Sequence, residues 1–221
     1  MIEAFGSALP VAVAVALSPF PIIAVVLLLL SPTGKSEGLA FLAGRVVGVA
    51  VIVGVFAMIS DLVERSDEVS PLVAVARVLV GAALSVLAVW KWPKWPREER
   101  EAKLPGWMSV LEGGSPWRAA RVAILLSAAN PKELLLGVGA GITIGSAGLP
   151  VGPTLAVAAA YTAIACASVA VPVVAFVMAP ERVRHPLDQL RVLLVRHNAA
   201  IMSVLLVVIG AALIGGGLAD E

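Results

Sequence analysis

Asn130, Pro131, Lys132 and Glu133 stand together midway along an apolar stretch long enough to cross a bilayer. Asn130 is a strong helix N-cap, Pro131 suits the first helical position, and Glu133, three residues on, completes a variant of the capping box. A new helix should therefore begin at Asn130. In a bilayer its free backbone donors would lie far from water and would need protein, ligand or a hydrated cavity as partners. The positive end of a helix dipole, with Lys132 beside it, is chemistry suited to an anionic or strongly polar group. Ser18, Pro19 and Pro21 repeat the device in the first apolar stretch, Ser18 as cap and Pro19 at the first helical position.

The chain that positions these residues is 60% hydrophobic and 14% charged, against roughly half and a quarter in soluble domains. It reads as an all-α integral membrane protein. Its 221 residues hold about six spans of roughly 20 residues, with no room for a separate soluble domain. Cys166 is the single cysteine, which excludes internal disulfides and two-thiol redox relays. Glu3 gives the N-terminus an acidic character unlike a cleavable signal peptide, so the first span is expected to be retained.

Spans are expected at about 4–30, 38–59, 69–90, 119–144, 154–178 and 199–218, with breaks in spans one and four and a kink at Pro172. Residues 31–37 read as a turn. Residues 1–90 form the first three-span half, 91–118 a hydrophilic linker, and 119–221 the second half. Trp92, Trp95, Trp107 and Trp117 in or beside the linker suit an interfacial anchor, and the cationic segment from Pro180 to Asn198 suits the membrane surface. Lys35, Lys91, Lys94, Arg97, Arg100, Lys103, Arg118, Arg121, Arg182, Arg184, Arg191 and Arg196 gather on one face, against Arg65 alone on the other. This asymmetry places both termini outside the cytoplasm. Three spans per half then require two inverted repeats, so the helix starts at Ser18 and Asn130 would converge near mid-bilayer.

The charged residues within spans admit two readings each. Lys132 lies about 14 residues, roughly 20 Å, beyond Arg118, too deep to snorkel easily. Glu133 either caps its helix or titrates in a transport path. Arg45, near 10 Å from the end of its expected span, favours snorkelling. A buried ion pair is assigned to Arg77 with Glu133, because either charge alone in hydrocarbon is costly. Glu133, Arg77 and Arg45 together form the candidate coupling set. The Gly44 and Gly48 pair, and the series Gly137, Gly141 and Gly145, read as helix-packing stripes. His185 and His197 are too isolated for a metal site, and no nucleophile with a base, phosphate-binding glycine loop or nucleic-acid motif is present.

The paired elements Leu17 to Ile23 and Ala129 to Leu135, each opening a three-span half, resemble the GAP or Sap (glycolipid-addressing) proteins of mycobacteria and related actinobacteria, within the broader lysine-exporter superfamily. The likeness runs from about Ala4 to Gly217. It implies a six-span plasma-membrane protein, without cofactor or enzymatic activity, that helps move glycolipids towards the cell surface. Membrane lipids and a large lipid exporter are the implied partners, with a homodimer as a candidate assembly. Carried onto this chain, the functional positions are Ser18, Pro19, Pro21, Asn130, Pro131 and Lys132. Glu133 departs from the neutral residue expected there. A proton-coupled exporter of small solutes such as amino acids, and a non-transporting assembly subunit, are the alternatives.

Overall fold

The computed structural model describes residues 1–64, 114–190 and 192–193. The expected third and sixth spans, Arg77, and most of the 91–118 linker lie outside the described residues. All regular structure among the described residues is helical.

Helix α1 (Ile2–Ala16) is separated from α2 (Pro19–Leu29) by a bend of 50°. Proline disfavours helical geometry in the residue before it, and Ser18 is accordingly extended, at φ −67° and ψ 119°. A long helix, α3 (Gly34–Glu64), follows. The second half repeats the plan: α4 (Pro116–Ala129), a bend of 72°, α5 (Pro131–Gly145), then the long α6 (Val151–Met178). Asn130, before Pro131, is extended at φ −80° and ψ 108°. Between α5 and α6 the chain turns through Gly148 at φ 60°, a conformation that glycine adopts without cost. Two helices, Gly34–Asp61 and Val151–Met178, are long and apolar enough to cross a membrane, and up to four spans result if each bent pair is one crossing.

One boundary differs from expectation. Helix α3 starts at Gly34, four residues before the expected span, because Thr33 O accepts from Ser36 N and Glu37 N and nucleates the first turn early. Gly34 is needed there, since a Cβ would fall 2.3 Å from Leu29 O. Glu37 is thereby drawn inward, buried and accepting from Ser31 Oγ. Helix α6 runs as one helix through Pro172.

Apolar packing occurs at two levels. One cluster joins Ala12 and Val15 of α1, Val49, Val53 and Ala57 of α3, Leu136 and Ile144 of α5, and Val157 and Ala165 of α6. The other joins Val25 and Leu29 of α2, Phe41 of α3, Ala119 and Ala123 of α4, and Val169 and Val173 of α6. The order of these contacts fixes the directions. The broken helices α1–α2 and α4–α5 run antiparallel to one another, and so do α3 and α6. Both breaks fall at the level between the two clusters.

Helix α3 runs parallel to α4–α5 and touches both pieces through glycine. A Cβ on Gly44 would lie 2.3 Å from Ala120 O in α4, and one on Gly145 would lie 2.2 Å from Ala57 O in α3. The small residues thus come from α3 against α4 and from α5 against α3. This close approach of backbones is what glycine stripes allow between apolar helices.

Beyond α6, residues 180–190 form a further helix, α7. Leu187 packs into the second cluster while Arg182, Arg184 and His185 face outward, as an amphipathic segment at the end of a bundle does.

Candidate functional site

The α4–α5 break carries a buried polar cluster. Arg45, at the level between the two apolar clusters, is 1% exposed and forms an ion pair with Glu133 on the first turn of α5. The same Arg45 Nη1 donates to Ser127 Oγ at 2.9 Å, near the end of α4. Ser127 Oγ in turn donates to Ala123 O at 3.1 Å. One guanidinium therefore holds α3 against both sides of the interruption.

The pair is incompletely satisfied. It joins one nitrogen of Arg45 to one oxygen of Glu133, whereas a guanidinium and a carboxylate can meet through two parallel bonds. Arg45 Nε, Glu133 Oε1 and Tyr161 Oη are buried without a hydrogen-bond partner among the described residues. Beside them lies a cavity of about 10 Å³, close to the room one water requires. Val15, Val49, Ile52, Ser127, Glu133, Gly137 and Tyr161 surround it. The unpaired polar atoms are closed off from this space, whose accessible wall is apolar, so the centre is an under-satisfied ion pair beside a water-sized gap.

The sequence-derived set divides unevenly around this centre. Asn130 caps α5 as expected, accepting from Lys132 N at 3.3 Å. The reciprocal half of the capping box does not form, because the Glu133 carboxylate turns to Arg45. Lys132 is half-buried with Nζ enclosed, and Pro131 is exposed. In the first break Ser18, Pro19 and Pro21 are all buried, but Ser18 makes no cap bond, and its Oγ has no partner among the described residues. None of these six residues lines the cavity; the first broken helix reaches it through Val15, three residues before Ser18.

One expectation is corrected. Arg45 does not snorkel: with α3 starting at Gly34 it lies eleven residues into the helix, about 16 Å along the axis, and pairing replaces escape to an interface. Glu133 pairs with Arg45, a partner the sequence reading did not assign to it; the expected pairing with Arg77 falls on a residue outside the described ones.

Sequence reasoning passed over Ser127 and Tyr161. Tyr161 is the sole tyrosine of the chain and lies in a stretch without charge, which was the available signal. Ser127 offered only its place six residues before Glu133. Among the described residues no group of three or more histidine, cysteine or acidic side chains could hold a metal ion.

No curated protein and no solved structure matches the chain. The family model described as Sap, sulfolipid-1-addressing protein, matches residues 8–219, so both helix breaks, the two long helices and the Arg45, Ser127, Glu133 and Tyr161 cluster all fall within it. A chain matched over nearly its whole length in this way belongs to the SfLAP (Sap, sulfolipid-1-addressing protein) family.

Proposed function

We propose that this protein moves an anionic or glycosylated lipid across the plasma membrane towards the cell surface, without catalysing a reaction on it. The carrying observation is the buried Arg45, bound through one nitrogen to Glu133 and Ser127, at the point where a membrane-length helix is interrupted. A cation kept at that depth, beside a helix N-terminus and Lys132, is suited to an anionic headgroup. The family description points to a lipid as cargo. Under this reading the antiparallel course of the two broken helices belongs to two inverted three-helix repeats of six spans, with both termini outside the cytoplasm. Membrane lipids are then the immediate partners, with a large lipid exporter and a second copy of the chain as further ones.

The test is reconstitution into vesicles carrying a fluorescent sulfated glycolipid in one leaflet. Movement to the other leaflet that is lost in Arg45→Gln supports the reading. Vesicles without movement, in cells where lipid export still needs the protein, would instead identify an assembly subunit of a larger exporter.

One observation favours a second reading, a proton-coupled exporter of a small solute. The cavity beside Glu133 admits about one water, far less than a sugar headgroup needs. Efflux of an amino acid from the same vesicles, abolished in Glu133→Gln, would select it.

A further inference from the structure

Among the described residues Arg45 has one carboxylate partner, and that partner uses only part of what a guanidinium offers. Nη1 serves both Glu133 and Ser127, while Nε has no acceptor among the described residues and Glu133 Oε1 has no donor. Arg45 and Glu133 are each buried to at least 97%. A buried charge stripped of its partner is strongly destabilising, so Arg45 must face some anion in every state of the break.

We infer that Glu133 and an anionic headgroup compete for Arg45, so that one proton bound at Glu133 accompanies each anionic group entering the α4–α5 break. This rests on the proposed reading of the break as the cargo site and adds what opens it. A proton from solvent joins Oε1, the contact of Oε2 with Arg45 Nη1 is given up, and Arg45 remains a guanidinium. The pair passes from neutral to one net positive charge, and the incoming anion restores neutrality. In the arrangement described, the carboxylate holds the anion's place, and the water-sized cavity is the space left beside it.

The groups facing Glu133 fit this exchange. From α3 comes Arg45, from α4 the Ser127 hydroxyl, and from α6 the Tyr161 hydroxyl, with Cys166 further along the same helix. Helix α1 presents only Val15 to the cavity, and Lys132 precedes Glu133 on α5. No second acid among the residues lining the cavity can take the proton in Glu133's stead. The Tyr161 hydroxyl, buried and without a hydrogen-bond partner among the described residues, belongs to the same set of lining residues as Glu133.

The experiment is proton uptake, followed by an indicator dye in weakly buffered solution, as the purified full-length protein in nanodiscs is titrated with inorganic sulfate or with vesicles containing a sulfated glycolipid. The expected result is one proton taken up per anion bound, with affinity rising about tenfold for each pH unit lowered while Glu133 is ionised in the free protein. Glu133→Gln should bind the anion without proton uptake and without pH dependence, Arg45→Gln should lose binding, and Arg45→Lys should recover part of it. Tyr161→Phe retains both charges and should retain the uptake, which keeps the test available if Glu133→Gln fails to fold. Response to sulfate identifies a free-anion site, and response only to the sulfated lipid identifies a headgroup site. Wild-type binding without uptake, or no binding of either probe, overturns the inference. Lipid movement that is independent of pH would overturn it while leaving the proposed function standing; proton-linked sulfate binding without lipid movement would do the reverse.

Discussion

Arg45 and Glu133, 88 positions apart in the chain, meet as a buried ion pair that ties the middle of α3 to the first turn of α5. Removing one member leaves the other charged and enclosed. Arg45→Ala and Glu133→Ala should each destabilise the protein by about 3–5 kcal/mol, whereas the double replacement Arg45→Met with Glu133→Leu should recover most of that loss. Thermal unfolding in detergent measures both, and a double variant no more stable than the singles would show that their losses do not arise from a buried charge left alone.

Ser127 gives Arg45 its second contact. Ser127→Ala removes one hydrogen bond to a charged group, for an expected loss of about 1.5–3 kcal/mol. Its hydroxyl also abuts α3, within 2.9 Å of where a Cβ on Gly48 would stand. Replacement of Gly48 by alanine should therefore be better tolerated in the Ser127→Ala background than in the wild type. A thermodynamic cycle of the two changes, read by the same melts, should return a coupling above about 0.5 kcal/mol.

Glycine positions separate by what surrounds them. A Cβ on Gly44 or Gly145 would strike neighbouring backbone at 2.3 Å and 2.2 Å, while one on Gly139 would meet nothing within 4 Å. Gly44→Ala and Gly145→Ala should each cost about 1–3 kcal/mol through forced separation of helices. Gly139→Ala should be neutral or stabilise by up to about 1 kcal/mol through helix propensity. Equal effects at all three positions would mean that α3 does not lie against α4 and α5 as described.

Asn130 caps α5 through its side chain, so Asn130→Ala should cost about 0.5–2 kcal/mol and Asn130→Asp markedly less. Ser18 makes no such bond, and Ser18→Ala should leave stability within about 0.5 kcal/mol. Comparing the two alanine variants by melting temperature distinguishes a working cap from a buried hydroxyl.

Much of this architecture was legible in the chain. Proline biases the residue before it away from helix, and at Ser18 and Asn130 a capping residue stands in that place, a combination that Pro10 and Pro172 inside α1 and α6 lack. The glycine stripes announced close packing, though the helix each would meet was a matter of tertiary assembly. The site was less legible, for a physical reason. Arg45 and Glu133 are brought together by α3 crossing α4–α5, and sequence alone fixes neither the register of that crossing nor which arginine arrives. An earlier start to α3, set by hydrogen bonds to Thr33 O, moved Arg45 too deep to reach an interface. The cost of a lone buried charge says that Glu133 needs a partner, and it does not say which arginine supplies it.

Among the described residues, α3 and α6 alone pass uninterrupted from one apolar cluster to the other, while α1–α2 and α4–α5 are each jointed where those clusters part. The molecule thus has two stiff axles and two elbows. Each arm of an elbow packs into its own apolar cluster, and at the second elbow Arg45 by itself clasps both arms, so under the proposed function that clasp is the point whose release would uncouple them.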